Sequence, residues 1–165
     1  MRVLVVSDSH SGLSYMRAWA KLLRPQTIIH LGDYYDDAEA LASDWPHSRL
    51  IQVPGNCDRY RMLRPEPEIR VVQLEGVSIY LTHGHRHGVN SSPAGLIVEA
   101  RKERADVALF GHTHEAVCWQ TEEGMWVMNP GSCGSYGGTV GLLELEKGKV
   151  NLCRVLCLED MEEFE

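Results

Sequence analysis

The sequence predicts an α/β fold in which two stacked sheets are flanked by helices. In its first half, short apolar runs alternate with helical stretches in the order strand, helix, strand, helix, strand. Its second half consists mainly of paired apolar runs joined by turn residues, with one helix inserted. These are more strands than one small sheet covered by helices on both faces would hold. Two sheets packed face to face fit the pattern better.

The first half is predicted to form three buried strands separated by two helices. Residues 2–6, 27–31 and 49–53 are near-continuous apolar runs, as found in strands buried on both faces. Residues 14–23 carry apolar side chains at helical spacing. Residues 36–42 are predicted to be helical, with acidic side chains in the first turn.

The second half is predicted to form hairpins around one helix and one more buried strand. The helix is expected over residues 93–103 and the buried strand over residues 105–110. Turn residues such as Glu75-Gly76 separate the hairpin strands. The hairpin strands are expected at residues 68–74 with 77–82, 117–120 with 125–128, and 139–145 with 149–158.

Composition narrows the class of protein. A chain of 165 residues argues for a single domain over residues 1–165, with the acidic tail 159–165 expected to fray. A net charge of -7 disfavours long nucleic acid as a partner. No apolar run approaches the roughly 20 residues that span a bilayer, so no membrane association is expected. Five cysteines without a secretory signal favour reduced thiols in the cytoplasm.

Residues of the types that bind metals follow the predicted strands instead of being scattered. Ligands of α/β sheets gather beyond the carboxyl ends of strands. Asp8 with His10, and His112 with His114, are spaced two apart, so each pair can direct two side chains to one centre. The seven candidate ligands are Asp8, His10, Asp33, Asn56, His85, His112 and His114.

The donor types indicate which ions would bind. A mixture of carboxylate, amide and imidazole suits Mn²⁺, Fe²⁺, Zn²⁺, Ni²⁺ or Co²⁺ better than Ca²⁺, and Mn²⁺ is our first expectation. Seven ligands exceed the needs of a single open zinc site. Two ions that share a carboxylate account for all seven, and Asp33 is the natural bridge. Such ions, about 3.5–4 Å apart, can hold a bridging hydroxide for in-line displacement at phosphorus.

Five short motifs in a fixed order carry a family resemblance. They are Asp8-Ser9-His10, Gly32-Asp33, Gly55-Asn56-Cys57-Asp58, Thr82-His83-Gly84-His85 and Gly111-His112-Thr113-His114. This ordered series resembles the calcineurin-like metallophosphoesterases. The segment Asn129-Pro130-Gly131-Ser132 is similar to one in their small YfcE-like phosphodiesterase branch. Each motif alone is weak evidence for the family, but the ordered series is specific and spans most of the chain.

The resemblance implies a four-layer αββα sandwich of two mixed sheets. It implies hydrolysis of small phosphate esters, phosphodiesters first, by a hydroxide that bridges two metal ions. Asp33, Asn56 and His85 would then serve catalysis by positioning the ions and the hydroxide. One ion would be held by Asp8, His10, Asp33 and His114. The other would be held by Asp33, Asn56, His85 and His112.

The sequence departs from the family pattern at two places. Cys57 stands where many members carry a histidine thought to protonate the leaving group. The thiol could act as a general acid, be redox-sensitive, or only line the site. Because loss of a general acid typically costs about 10²–10⁴-fold, we expect slow turnover of alkyl esters and faster turnover of activated aryl esters. After Ser132, the run 133–138 lacks the Pro-Arg pair that relatives often carry, which puts a phosphate-binding arginine there in doubt.

Several neighbouring residues have more than one interpretation. His30, inside a predicted strand, is expected to be a core histidine. His83 and His87 are expected to be structural, with a supporting or substrate-contacting role as the alternative. Asp58 either orients its neighbours or caps a turn. Arg59, Arg61 and Arg64 are expected in a solvated loop, with phosphate contact as the alternative.

Two other functions remain open at this stage. A noncatalytic protein-binding scaffold can share the fold, because fold does not fix function. A phosphomonoesterase would need the same ligands. A homodimer or tetramer is compatible with the sequence, because the final strands are expected to leave an apolar edge exposed.

Overall fold

The computed structural model describes residues 1–60, 62, 64–134 and 138–164. These residues form ten strands, three α-helices and two 3-10 helices. The strands are β1 Arg2–Val6, β2 Thr27–His30, β3 Arg49–Gln52, β4 Ile69–Leu74, β5 Val77–Thr82, β6 Val107–Leu109, β7 Val117–Gln120, β8 Trp126–Asn129, β9 Val140–Glu146 and β10 Lys149–Leu156. The α-helices are α1 Leu13–Leu23, α2 Tyr35–Asp44 and α3 Ala94–Lys102, and the 3-10 helices are His85–His87 and Leu158–Phe164.

The strands form two mixed five-stranded sheets. The first has the order β10-β9-β1-β2-β3. In it, β1, β2 and β3 are parallel, β9 is antiparallel to β1, and β10 is antiparallel to β9. The second has the order β4-β5-β6-β8-β7, with β5, β6 and β8 parallel. Parallel neighbours send their carboxyl ends to the same sheet edge, which is where the candidate ligands follow in sequence.

The main core lies between the two sheets. Val3, Val5 and Ile29 of the first sheet share one buried cluster with Ile79 and Leu109 of the second. Burial on both faces explains the near-continuous apolar runs of β1 and β5. Burying this many aliphatic side chains supplies the main driving force for packing the sheets together.

Helices cover the outer faces of both sheets. On α1, Met16, Trp19, Ala20 and Leu23 are fully buried in a cluster with the outer face of the first sheet. On α3, Leu96 and Ala100 pack in a third cluster, against the second sheet. The order of layers is therefore helix, sheet, sheet, helix, which confirms the predicted αββα sandwich.

The end of the chain differs from the expectation of a frayed tail. Leu158–Phe164 forms a 3-10 helix whose Met161 and Phe164 pack against the first sheet's outer cluster. The Phe164 ring lies edge-on to Trp19, with 6.2 Å between centroids. Arg154 also pairs with Asp160 and Glu163. The sequence of this segment is mainly acidic, but the apolar contacts of Met161 and Phe164 hold it in place.

The described residues contain neither a bilayer-spanning helix nor a disulfide bond. None of the helices there has both the length and the apolar character that crossing a bilayer requires. All five cysteines are free. Cys118 and Cys153 face each other between β7 and β10, with 3.4 Å between their sulfur atoms.

Candidate metal centre

The candidate ligands converge at the edge where the carboxyl ends of the central strands meet. Among the described residues, two groups of side chains bring potential ligand atoms within 4.8 Å of one another. The first group is Asp8, His10 and His114, and the second is Asp8, Asp33 and His83. Asp8 belongs to both groups. The two clusters are therefore parts of one site.

The first group combines a buried carboxylate with two open imidazoles. His114 Nε2 lies 3.2 Å from Asp8 Oδ1 and 3.4 Å from His10 Nε2. Asp8 is fully buried, whereas His10 and His114 are exposed. These three predicted ligands lie close enough to share one ion, and the exposed imidazoles leave a path from solvent.

The second group is arranged around His83. Its Nε2 lies 3.1 Å from Asn56 Oδ1, 3.2 Å from His112 Nδ1 and 3.6 Å from Asp33 Oδ2. Its Nδ1 lies 2.8 Å from the carbonyl oxygen of Leu31, an acceptor only, so Nδ1 carries the proton and donates. In the neutral ring, Nε2 then presents a lone pair to the surrounding ligands.

The structure thus places His83, and not the predicted His85, at the centre of the ligand group. The strand β5 ends at Thr82, so His83 is the first residue beyond it and its ring is completely buried. Gly84, with φ of 104°, then turns the chain, and His85 begins a 3-10 helix at the rim. The His85 ring centroid is 5.5 Å from that of His83. The sequence-based choice of His85 assumed that the ligand follows the glycine here, as it does at Gly32-Asp33, Gly55-Asn56 and Gly111-His112.

One oxygen of Asp8 is buried without a hydrogen-bond partner. Asp8 Oδ2 accepts bonds from the Ser7 hydroxyl at 2.6 Å and from the His112 N–H at 3.0 Å. Asp8 Oδ1 has no donor and faces the imidazoles of His83 and His114. A buried, unsatisfied carboxylate oxygen is costly. A cation held between these side chains would satisfy it, so the donor set fits a divalent metal ion.

Many residues in the loops of the site have positive φ, the left-handed backbone conformation. Eleven described non-glycine residues have positive φ, a conformation that costs L-residues free energy. Four of them are elsewhere, at simple turns or a helix end. The seven others, all in the loops that carry the ligands, are Asp8, His10, Ser11, Asp33, Tyr34, His112 and His114. The fold holds these loops in strained conformations at the point where the ligands must converge.

Asp58 fixes two of these loops to each other. Its buried carboxylate accepts N–H bonds from Asp33 at 2.9 Å, Gly55 at 2.8 Å and Tyr35 at 2.8 Å. The Asp58 side chain therefore closes the turn of residues 55–58 after β3 and joins it to the loop of Asp33. Carboxylates that accept several backbone N–H groups form strong, charge-assisted bonds.

Glycine precedes two ligands because the loops approach closely. A Cβ on Gly55 would collide with the Asp33 carboxylate, and one on Gly111 would collide with the Ser7 hydroxyl. These are the side chains that the site must hold in place. The glycine pattern in the sequence therefore reflects close backbone approach.

The segment that resembles the YfcE-like branch braces the same loops. The Asn129 amide donates to the Gly111 carbonyl at 3.0 Å and to the Thr113 hydroxyl at 2.9 Å. The Ser132 hydroxyl donates to the Asp8 carbonyl at 2.8 Å. This segment therefore supports the ligand loops from behind. Of the residues after it, 135–137 lie outside the described residues.

His30 is a buried histidine beside the site, as expected. Its Nδ1 accepts the Gly32 N–H at 3.2 Å, so its proton lies on Nε2, which is 3.3 Å from Ser9 Oγ. The Ser9 hydroxyl donates to Asp37 Oδ2 at 2.7 Å. Complete burial lowers the pKa of His30 to about 4, so the ring is neutral at physiological pH.

Burial and neighbours shift the pKa values of several site groups. Burial would raise the pKa of Asp33, but the His83 ring and the Cys57 N–H outweigh it, and the pKa lies below its ordinary value. Burial and then the His83 ring lower the pKa values of His85 and His112. Neutral imidazoles and an ionised carboxylate are the forms that bind metal ions.

Cys57 lies at the rim with its thiol protonated. Burial, followed by its hydrogen bond to Asp33, raises the pKa of Cys57 to about 11. Its backbone N–H donates to Asp33 Oδ1 at 2.9 Å, which orients that carboxylate. The main contact of this residue with the site is therefore through its backbone.

Other candidates lie away from the ligand group. His87 Nε2 faces Tyr80 and Glu99 instead, at 3.1 and 3.5 Å. Arg59 and Arg64 line a surface cleft that also contains glutamates, and Arg61 lies outside the described residues. Two residues that sequence reasoning undervalued, His83 and Asp58, are the most deeply buried of their motifs. The position of His83 directly after a strand was the signal that could have identified it.

Comparisons with known proteins find similar sequences over most of the chain. A model of the calcineurin-like phosphoesterase superfamily domain matches residues 1–148. A probable metallophosphoesterase of Mycoplasma pneumoniae is 33% identical over 134 residues, which cover 79% of this chain and 78% of the relative. Phosphodiesterase YfcE of Escherichia coli K12 is 37% identical over 153 residues, with 80% and 79% covered.

Solved structures share the fold. Wild-type Vps29 from Entamoeba histolytica, in complex with Zn²⁺, superposes with a TM-score of 0.69 at 23% identity. The superposition covers 95% of this chain and 99% of that one. At this level of identity the likeness establishes the architecture alone.

Proposed function

Because the chain belongs to the calcineurin-like phosphoesterase superfamily, we propose that it is a dinuclear metal-dependent phosphodiesterase that acts on small phosphate esters. The observation that carries this proposal is the buried, unpartnered Asp8 Oδ1 among the imidazoles. A bound cation would satisfy this costly oxygen, which supports a metal-dependent activity.

The side chains divide into two overlapping sets around Asp33. Asp8, His10 and His114 would hold one ion, and Asn56, His83 and His112 the other, with Asp33 between them. A pair of divalent ions, when bound, supplies a water acidic enough to be a nucleophile at neutral pH and charge that stabilises the phosphoryl group. Oxygen and imidazole donors without thiolate favour Mn²⁺, with Fe²⁺, Zn²⁺, Ni²⁺ and Co²⁺ as alternatives.

The protein's own groups orient this chemistry. Cys57 N–H holds Asp33 Oδ1, which leaves Oδ2 directed toward His83. The Asp58 carboxylate fixes the loops that carry Asp33 and Asn56. Ser7 and the His112 N–H occupy Asp8 Oδ2 and leave Oδ1 for the ion. The carboxylates of Asp8 and Asp33 are thereby each held by one oxygen and left open at the other.

Leaving-group protonation is the weak step of the proposed mechanism. A Cys57 thiol with a pKa of about 11 is a poor proton donor near neutral pH. Esters whose alcohol leaves without a proton should therefore be the better substrates. Aryl phosphodiesters should turn over faster than dialkyl phosphates by about 10²-fold or more.

The test is hydrolysis of bis(p-nitrophenyl) phosphate by the whole chain with added Mn²⁺. Asp33→Ala and His114→Ala should each lower kcat/KM at least about 10²-fold, since even loss of a residue that supports a metal ligand costs 10–100-fold. His87→Ala, outside the ligand group, is the matched control and should retain activity. Protein that stays inactive with all five metals would overturn the proposal and favour a noncatalytic scaffold.

A phosphomonoesterase is the second candidate, because it would use the same ligands. Comparing p-nitrophenyl phosphate with the diester separates the two. A kcat/KM higher for the monoester would replace the diesterase assignment.

A further inference from the structure

Two cysteines from different sheets face each other at one edge of the sandwich. Cys118 lies on β7, the end strand of the second sheet, and Cys153 lies on β10, the end strand of the first. Their sulfur atoms are 3.4 Å apart, and the Cys118 sulfur is also 3.3 Å from the carbonyl oxygen of Cys153. Two thiols that are 35 positions apart in sequence therefore meet across the boundary between the sheets.

Regular strand pairing holds both cysteines in place. Cys118 is paired with Met128 of β8, and Cys153 is paired with Leu143 of β9. Cys153 belongs to the core cluster between the sheets, and the half-buried Cys118 packs against that cluster. A disulfide bond is about 2 Å long, so the two sulfurs would have to approach each other by about 1.4 Å to form one. Their proximity is thus a property of the packed strands and does not depend on a loop.

The two thiols differ in reactivity. The hydrogen bond with Cys153 lowers the pKa of the Cys118 thiol, whereas the same hydrogen bond, followed by burial, raises the pKa of Cys153. The pKa values of the other three cysteines are raised, by burial at Cys57 and Cys133 and by hydrogen bonding to carboxylates at Cys157. Because the thiolate is the nucleophile in disulfide exchange, Cys118 is the thiol best suited to react first.

We propose that Cys118 and Cys153 are a modification site, at which a low-molecular-weight disulfide such as oxidised glutathione converts them to a reversible disulfide bond that cross-links the two sheets. The Cys118 thiolate attacks one sulfur of oxidised glutathione, which forms a mixed disulfide and releases one glutathione thiolate. Cys153, after losing its proton to solvent, attacks the Cys118 sulfur and releases the second. The cysteines lose two electrons in total, and these, with the two thiol protons, convert oxidised glutathione to two molecules of glutathione.

This inference is independent of the proposed function. Neither cysteine belongs to the groups of candidate ligands, and no metal ion takes part in the reaction. The bond would close a long loop of the chain and join sheets that are otherwise packed through apolar side chains. Closing such a loop restricts the unfolded chain, so the cross-link should stabilise the folded protein.

The first experiment treats the metal-free whole chain with oxidised glutathione and maps its peptides without reduction. Wild type should yield one peptide pair that joins Cys118 to Cys153, and dithiothreitol should separate it. Cys157→Ser, just beyond the end of β10, is the matched control and should form the same bond. Wild type that keeps both thiols reduced, or that links a different pair or two chains, overturns the inference.

The second experiment tests the order of the two steps. Cys153→Ser keeps a hydroxyl that can donate to Cys118 but cannot form the bond, so the reaction should stop at a glutathione adduct on Cys118. Cys118→Ser should carry no adduct on the buried Cys153. Cys153→Ala is the second variant if the serine disturbs folding. An adduct on Cys153 in Cys118→Ser, with none on Cys118 in Cys153→Ser, would reverse the proposed order and overturn it.

The third experiment asks whether the bond fits the folded sandwich. Oxidised wild type should unfold at a Tm about 5–15 °C above that of the reduced protein, and dithiothreitol should remove the difference. Cys118→Ser, treated in the same way, should show no such rise. A Tm of oxidised wild type that is unchanged or lower would mean that the bond forms only at the expense of the native packing, and the proposed cross-link would be wrong.

Discussion

The ligand group has a buried interior and an exposed rim, and the two are built differently. The interior consists of Asp8, Asp33 and His83, each almost completely buried. The rim includes His114, whose side chain is 48% exposed, and Asn56, which is also exposed. Rim groups exchange their hydrogen bonds with water, so they cost little when no ion is bound.

The interior behaves differently because water is excluded from it. Asp8 Oδ1 has neither a hydrogen-bond donor nor solvent. A group in this state raises the free energy of the folded, metal-free protein and therefore favours the binding of a cation. We infer from this difference that the interior would set affinity for ions, whereas the rim would govern access and leaving groups.

The sharpest test of this division compares two histidines of one motif. His83→Ala should lower kcat/KM for an aryl phosphodiester by about 10³-fold, because it removes an interior ligand worth several kcal/mol of charge stabilisation. His85→Ala, at the rim, should cost less than about 10-fold. Steady-state kinetics with Mn²⁺ measures both. Equal losses would erase the distinction between interior and rim, and a larger loss for His85 would restore the sequence-based assignment.

The second largest effect is expected from the support beneath the interior. Asp58→Ala would leave three backbone N–H groups without their acceptor, those of Asp33, Tyr35 and Gly55. Unsatisfied buried donors cost about 1–3 kcal/mol each, and so the free energy of unfolding should fall by about 3 kcal/mol or more. Urea unfolding with EDTA present measures it. Asp36→Ala, on the exposed side of α2, is the control, and a similarly small change in both variants would contradict this role of Asp58.

The third effect is a pH dependence that comes from His30. The unfolded chain binds a proton at this residue near pH 6.5, but the buried ring in the folded chain does so only near its pKa of about 4. Stability is therefore lost as pH falls from about 6.5 to 4, by about 3 kcal/mol from this residue. Urea unfolding of the metal-free chain across this range should show a steeper dependence for wild type than for His30→Gln. Parallel curves would refute this assignment.

The same division explains how much could be predicted from sequence. The ends of β1 were predicted correctly because burial on both faces leaves a near-continuous apolar run. Those of β5 were predicted correctly because the turn Glu75-Gly76 marks where the strand begins. The convergence of Asp8 with His114 followed from the rule that ligands lie beyond strand ends. The sequence did not show which ligands are buried and which lie at the rim, because the burial of each ligand depends on how the chain turns after its strand.

Two places where the structure differs from the sequence-based expectation show what local patterns leave out. At Gly84 the chain turns with φ of 104°, and this places His83 inside and His85 at the rim. Local spacing offered both histidines equally. The last 3-10 helix depends on contacts between Phe164 and Trp19, which are far apart in sequence. In both cases tertiary contacts decided what the local pattern left open.

The smallest expected effect is also the most direct probe of the interior. Asp8→Asn keeps an oxygen that can accept from Ser7 and the His112 N–H, and it removes the buried charge. In EDTA, we expect the free energy of unfolding to rise by about 1 kcal/mol, and Tm by about 2–4 °C. Mn²⁺ should stabilise wild type but not the variant. Thermal unfolding with and without Mn²⁺ measures both effects. If the metal-free variant is less stable than wild type, the Asp8 carboxylate stabilises the fold without a cation. The interior would then not be a site where stability is given up for ion binding.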